Sequence, residues 1–139
     1  MDFMNAEEDD SAGETADGGP CGMKMVLPYN DLDSLRRLIG RRAKDAACIL
    51  LTPVLVDQGL TPVDQAFLSE IVRLSREQGI ILIFDEVMTG FRGFPGGAQS
   101  VLNIKPDLTC LGSVIGGGFP LGVYGGRADL MQKIAPDGG

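Results

Sequence analysis

The 139-residue sequence contains no histidine and no tryptophan, and only three cysteines and two tyrosines. Without histidine, the chain itself can hold no Ser-His-Asp or Cys-His triad, no imidazole base and no His-ligated zinc. The cysteines, Cys21, Cys48 and Cys110, are too few and too scattered for a disulfide framework or a CxxC site, and no metal site is expected. A reducing, cytoplasmic setting follows as the default. No apolar run approaches the roughly 18 residues of a membrane span, and Met1–Asn5 leads into acids rather than a signal-peptide core. Basic stripes are missing too. The formal net charge is -7, and residues 1–20 supply seven acids and no base, while the remaining acids and bases cancel. A neutral body without a cationic face gives no support for nucleic-acid binding.

What is present is a body with a repeating pattern. Residues 1–25 combine the acids with Gly13, Gly18, Gly19 and Pro20 and have little to bury, so they are expected to form a disordered segment. From residue 26 to 139 the chain is expected to fold. Asp31 stands as an N-cap before Leu32, Leu35, Leu38 and Ile39, with Arg36, Arg37, Arg41 and Arg42 following. Ala47–Leu51 is a continuous apolar run, the pattern of a strand buried on both faces, closed by Pro53. A second helix is expected to open at Thr61-Pro62 in capping-box style with Asp64, to bury Phe67, Leu68, Ile71, Val72 and Leu74, and to stop at Gly79. Ile80–Phe84 is the clearest strand and ends in Asp85-Glu86. After a glycine-rich loop over 89–97 come strands at 108–111 and 121–124 and a short helix over 128–134. This β-α-β alternation indicates an α/β fold with a mainly parallel sheet flanked by helices.

In such sheets ligands sit beyond the carboxyl ends of the strands. Asp85-Glu86, Gly112-Ser113 and the segment from Pro53 onward should therefore meet at one edge. Asp85 follows five apolar residues and needs a partner to offset its desolvation. Four readings of this edge compete. Asp85 is a simple loop cap; or the strand is a Walker B strand; or Gly116–Gly118 begins a dinucleotide loop; or the carboxylate serves a pyridoxal phosphate ring. The Walker reading lacks its GxxxxGK[ST] loop, and the dinucleotide spacing fails at Leu121 and Pro120.

A resemblance favours the fourth. Ile83-Phe84-Asp85-Glu86-Val87-Met88-Thr89-Gly90-Phe91-Arg92 resembles the aspartate segment of the class III aminotransferases, and within them the glutamate-1-semialdehyde 2,1-aminomutase branch. Leu27–Leu32, Gly96–Gln99 and Pro106–Gly112 running on to Gly125-Gly126 strengthen the likeness, which covers about 27–136. The resemblance implies a fragment of the large pyridoxal phosphate-binding domain of a fold-type I aminotransferase, acting on small amino and carbonyl compounds as a homodimer when complete. It implies that Asp85 pairs with the pyridine nitrogen, that Val87 packs on the ring, and that Gln58 (or Asp57 beside it) lies near the phenolic oxygen. It also marks a departure, since Ser113 stands where the family carries its Schiff-base lysine. A hydroxyl can neither form the imine nor shuttle the proton, a step in which a positioned base contributes about 10² to 10⁴-fold. Lys105 lies at the opposite end of its strand. Thr52 replaces a glutamate usual before Pro53. The phosphate-cradling turn upstream and the threonine segment downstream fall outside these residues. Amino-group transfer is thus the family's activity, and this chain is expected to be inactive as written; the alternative is a non-catalytic binding or scaffold fragment.

Overall fold

The computed structural model describes residues 24–134 and the backbone of Glu14–Thr15; the remainder of the acidic segment lies outside the described residues. Glu14–Thr15 (β1) pairs antiparallel with Lys24–Met25 (β2). Helix α1 spans Leu32–Arg42. Its N-cap is Asp31, whose Oδ1 accepts the Ser34 N–H at 2.9 Å, as the local sequence predicts. Strand β3 is Cys48–Leu51, β6 is Ile81–Asp85 and β7 is Leu108–Leu111, and these three are parallel neighbours in the order β3-β6-β7. Between β3 and β6 lie the short strands β4 (Val54–Leu55) and β5 (Thr61–Pro62) and helix α2 (Gln65–Gln78). Gly79 ends α2 in the left-handed conformation, with its N–H on the Ser75 carbonyl.

Helix α2 begins three residues later than the sequence suggests. Thr61 and Pro62 are held antiparallel against Leu55 and Val54, and the Val63 N–H reaches the Pro53 carbonyl at 2.9 Å. Asp64 is the cap residue, but its side chain makes no capping bond. Instead Asn30, in the left-handed region at φ 63°, accepts the Asp64 N–H through its side-chain oxygen and donates to the Pro62 carbonyl. Contacts from 34 residues away decide the start of this helix.

Two short helices were not anticipated, α3 (Gly97–Val101) and α4 (Ser113–Gly116). The fourth strand of the sheet, β8, is Val123–Gly126, two residues further along than expected, and it runs antiparallel to β7. Helix α5 (Ala128–Met131) follows.

The core lies on one face of the sheet. Leu35 and Ile39 of α1 and Phe67, Leu68 and Ile71 of α2 pack against Leu51, Leu82 and Phe84, and Leu102 and Ile104 after α3 join them. Each fully buried aliphatic or aromatic side chain of this kind is worth about 1.5–3 kcal/mol. Alternation along β3 and β6 sends Cys48, Leu50, Ile81, Ile83 and Asp85 to the other face. There Leu50 stands 62% exposed, so the expectation of strands buried on both faces is corrected. Continuous apolar runs reflect the environment of a sheet with two covering layers, and the described helices supply one. No described helix is long and apolar enough to cross a membrane.

Candidate cofactor site

Parallel pairing brings the ends of β6 and β7 level, with Asp85 opposite Cys110. The Asp85 carboxylate lies on the open face and is partly exposed. Its Oδ1 accepts the Val87 N–H at 3.0 Å, while Oδ2 carries no hydrogen bond among the described residues. Burial pushes the Cys110 thiol up from its ordinary pKa, and the neighbouring Asp85 charge raises it further.

Val87 leans over Gly112, where an added Cβ would come within 2.9 Å of the valine Cγ1. The next residue is Ser113, exposed at the start of α4, and its hydroxyl donates to the Met88 sulfur at 3.5 Å. Asp85 and Ser113 therefore lie at one strand edge, as expected of strand ends, and Val87, which only the resemblance singles out, packs against Gly112 there. Gln58 does not join them by any contact. It is exposed in the 3-10 turn Val56–Gln58, its carbonyl accepts the Thr61 hydroxyl at 2.7 Å, and its side chain makes no hydrogen bond among the described residues. Asp57 beside it is exposed as well. Lys105 is exposed at the amino end of β7, away from Ser113. Among the described residues no group of three or more His, Cys, Asp or Glu gathers as a metal site.

Sequence reasoning missed Glu86. It is fully buried, on the helical side of the sheet, and its carboxylate accepts the Ala98 N–H at 2.6 Å, the Gln99 N–H at 2.9 Å and the Thr89 hydroxyl at 2.9 Å. The available signal was strand alternation, because two consecutive carboxylates at a strand end must point to opposite faces. Two other side chains brace this edge. Tyr29 donates its hydroxyl to the carbonyls of Thr52 and Pro53 at 2.9 and 3.1 Å, just past β3. Asp107 accepts the Leu82 N–H at 2.8 Å and an Arg127 N–H at 2.8 Å, tying β6 and the end of β8 to the start of β7.

The class-III aminotransferase model matches residues 20–139. The chain belongs to this family. A glutamate-1-semialdehyde 2,1-aminomutase of Thermodesulfovibrio yellowstonii is 48% identical over 115 residues, which are 83% of this chain and 27% of that protein. Among solved structures, an omega-transaminase from Sphaerobacter thermophilus superposes with a TM-score of 0.76 at 46% identity, over 83% of this chain and 26% of that one. A transaminase with bound pyridoxal phosphate gives a TM-score of 0.75 at 34% identity, over 83% and 27%. The chain thus spans about a quarter of the length of the relatives it matches, as a fragment of their α/β fold. Pyridoxal phosphate is the cofactor of this class III family.

The residues present fit half of that cofactor's needs. Among the described residues Asp85 Oδ2 is a free acceptor on the open face, suited to a protonated ring nitrogen. Ser113 offers only a hydroxyl, which cannot form an imine with an aldehyde.

Proposed function

We propose that the chain is the cofactor-holding piece of a class III aminotransferase large domain that has lost covalent capture of its cofactor. Asp85 faces the pyridine nitrogen, Val87 packs on the ring, and Gln58 stands on the side of the phenolic oxygen. When bound, the cofactor supplies an electron-accepting ring for charge developing on a substrate carbon. The chain's own contribution at that ring is the Asp85 carboxylate, which keeps a proton on the nitrogen. Ser113 contributes no proton transfer, because its hydroxyl is neither a competent base nor paired with one. Its one described side-chain hydrogen-bond partner is the Met88 sulfur, and this observation carries the reading.

In the longer family proteins the same edge would serve amino-group transfer on small amino and carbonyl compounds, in a homodimer. The exposure of Leu50, Phe119 and Tyr124 supports further packing onto this piece. Residues 26–139 are read as the cofactor-binding unit and 1–25 as its acidic extension. Free thiols at Cys48 and Cys110 accord with a reducing, cytoplasmic compartment.

The test is titration of the 139-residue chain with pyridoxal phosphate, with borohydride reduction and peptide mapping, repeated on Ser113→Lys. The expected result is reversible association of the native chain without a reduced label, and a label at position 113 in the variant. A stoichiometric label on another lysine of the native chain refutes the loss of capture. Association by neither protein refutes the cofactor-holding role and leaves a scaffold fragment.

A further inference from the structure

Asp85 and Glu86 are neighbours in sequence but differ sharply in how they are held. The Asp85 side chain, on the open face, accepts a single hydrogen bond among the described residues, from the amide two residues on. Nothing in its own contacts determines where the free Oδ2 points. Glu86 is tied down at every polar atom. Its carboxylate takes three donors, its N–H donates to the Cys110 carbonyl at 2.9 Å, and its own carbonyl accepts the Gly90 N–H at 2.8 Å. The backbone at Gly97 approaches the carboxylate so closely that a Cβ there would overlap it, and the φ of 68° at that residue permits the approach.

A buried carboxylate costs several kcal/mol unless donors surround it. Among the described residues no cation is bonded to it, and the donors are two backbone amides and a hydroxyl. Being acceptor-only, an ionised carboxylate can receive all three at once, whereas an amide in the same place would turn a donor toward one of them. The arrangement holds the turn after β6 to the start of α3 and, through the backbone of residue 86, to β7.

We propose that Glu86 is a positioning residue for Asp85, fixing from the helical side the backbone that aims the Asp85 carboxylate and the Val87 side chain across the open face. This rests on the reading of Asp85 as the ring-nitrogen partner, but its test does not need the cofactor. Cys110, level with Asp85, senses that carboxylate's charge. In a Cys21→Ser, Cys48→Ser background, the pH midpoint of Cys110 alkylation by iodoacetamide reports how close the charge is held.

Asp85→Asn should lower the midpoint. Glu86→Gln should lower it by at least half as much, and Thr89→Val, which removes one donor, by less. Glu86→Gln should have no further effect in the Asp85→Asn background, because the charge being repositioned is gone. General loosening of the strands would lower the midpoint equally in both backgrounds, and that result overturns the proposal. So does an unchanged midpoint in folded Glu86→Gln. Should Glu86→Gln fail to fold, Thr89→Val and its Asp85→Asn double variant decide by the same comparison. Pyridoxal phosphate association, measured on the same proteins, separates the two readings. Loss of association in Asp85→Asn supports the ring-nitrogen role, and intact association sinks that role while leaving the Cys110 cycle to judge Glu86.

Discussion

Tyr29→Phe removes one oxygen from the clamp past β3 and little else. The ring can stay against Phe67, with centroids 6.3 Å apart, so no cavity opens. What is lost is the donor to the Thr52 and Pro53 carbonyls. Pro53 keeps the Val63 N–H, but the Thr52 carbonyl loses the donor that faces it. A net hydrogen bond of this kind is worth about 0.5–1.5 kcal/mol, and a partly buried acceptor left unpaired moves the cost toward the upper end. With an unfolding entropy of about 2.1 cal/mol/K per residue, a domain near this size should lose roughly 2–6 °C in Tm. The pH dependence is more diagnostic. Burial, aided by the Asp64 charge, pushes the Tyr29 phenol up to about 12. In the unfolded chain it titrates at about 10. The folded state therefore keeps a proton that the unfolded state releases, and this contribution is complete below pH 10 and lost as pH rises through 12. Urea unfolding of both proteins between pH 8 and 12 would show the native chain losing stability relative to Tyr29→Phe across that window. Parallel curves, or an unchanged Tm, would refute the clamp.

Three further outcomes follow from the geometry. Glu70, held by Arg36 and Arg73 at 2.8 Å each, has a carboxyl lowered to about 2, chiefly by hydrogen bonds from Arg73 and then Arg36. Its contribution is present above the ordinary carboxylate range and lost as pH falls toward 2, so the urea midpoints of native and Glu70→Gln proteins should converge on acidification; a constant gap would contradict the pairing. Gly126→Ala would drive a Cβ into the Asp107 carbonyl and Leu108 backbone, and should cost about 1–3 kcal/mol in chemical denaturation, with accelerated hydrogen exchange along β8. Leu68→Ala, at a fully buried position facing the sheet, should cost about 2–5 kcal/mol, and a loss below 1 would show that the helix does not pack as described.

The legible parts of this fold were those decided within a few residues. Asp31 caps α1 through its own near neighbour Ser34, Gly79 stops α2, and the apolar runs 47–51, 80–84 and 108–111 yield the three parallel strands, shifted by no more than a residue. The same strand ends mark Asp85 and Ser113 as neighbours of one edge from sequence alone. The errors share one origin. Thr61-Pro62 looks like a helix start until Val54-Leu55 pairs with it and Asn30 reaches in from another segment. The antiparallel run of β8 and the open face at Leu50 likewise depend on which elements are present to pair or cover, which no local pattern encodes. Helices α3 and α4 are too short to show a period. Gln58 rests on the resemblance alone, and no contact among the described residues draws it toward Asp85.

The opposite facing of Asp85 and Glu86 also constrains how β6 can settle. A slip of one residue against β3 and β7 would turn Phe84 outward, carry Asp85 into the helical layer and strip Glu86 of its three donors. Each consequence penalises the same error. The adjacent carboxylates thus act as a frame check on the central strand, and a single-residue insertion or deletion between Ile81 and Glu86 should be among the least tolerated changes in the chain.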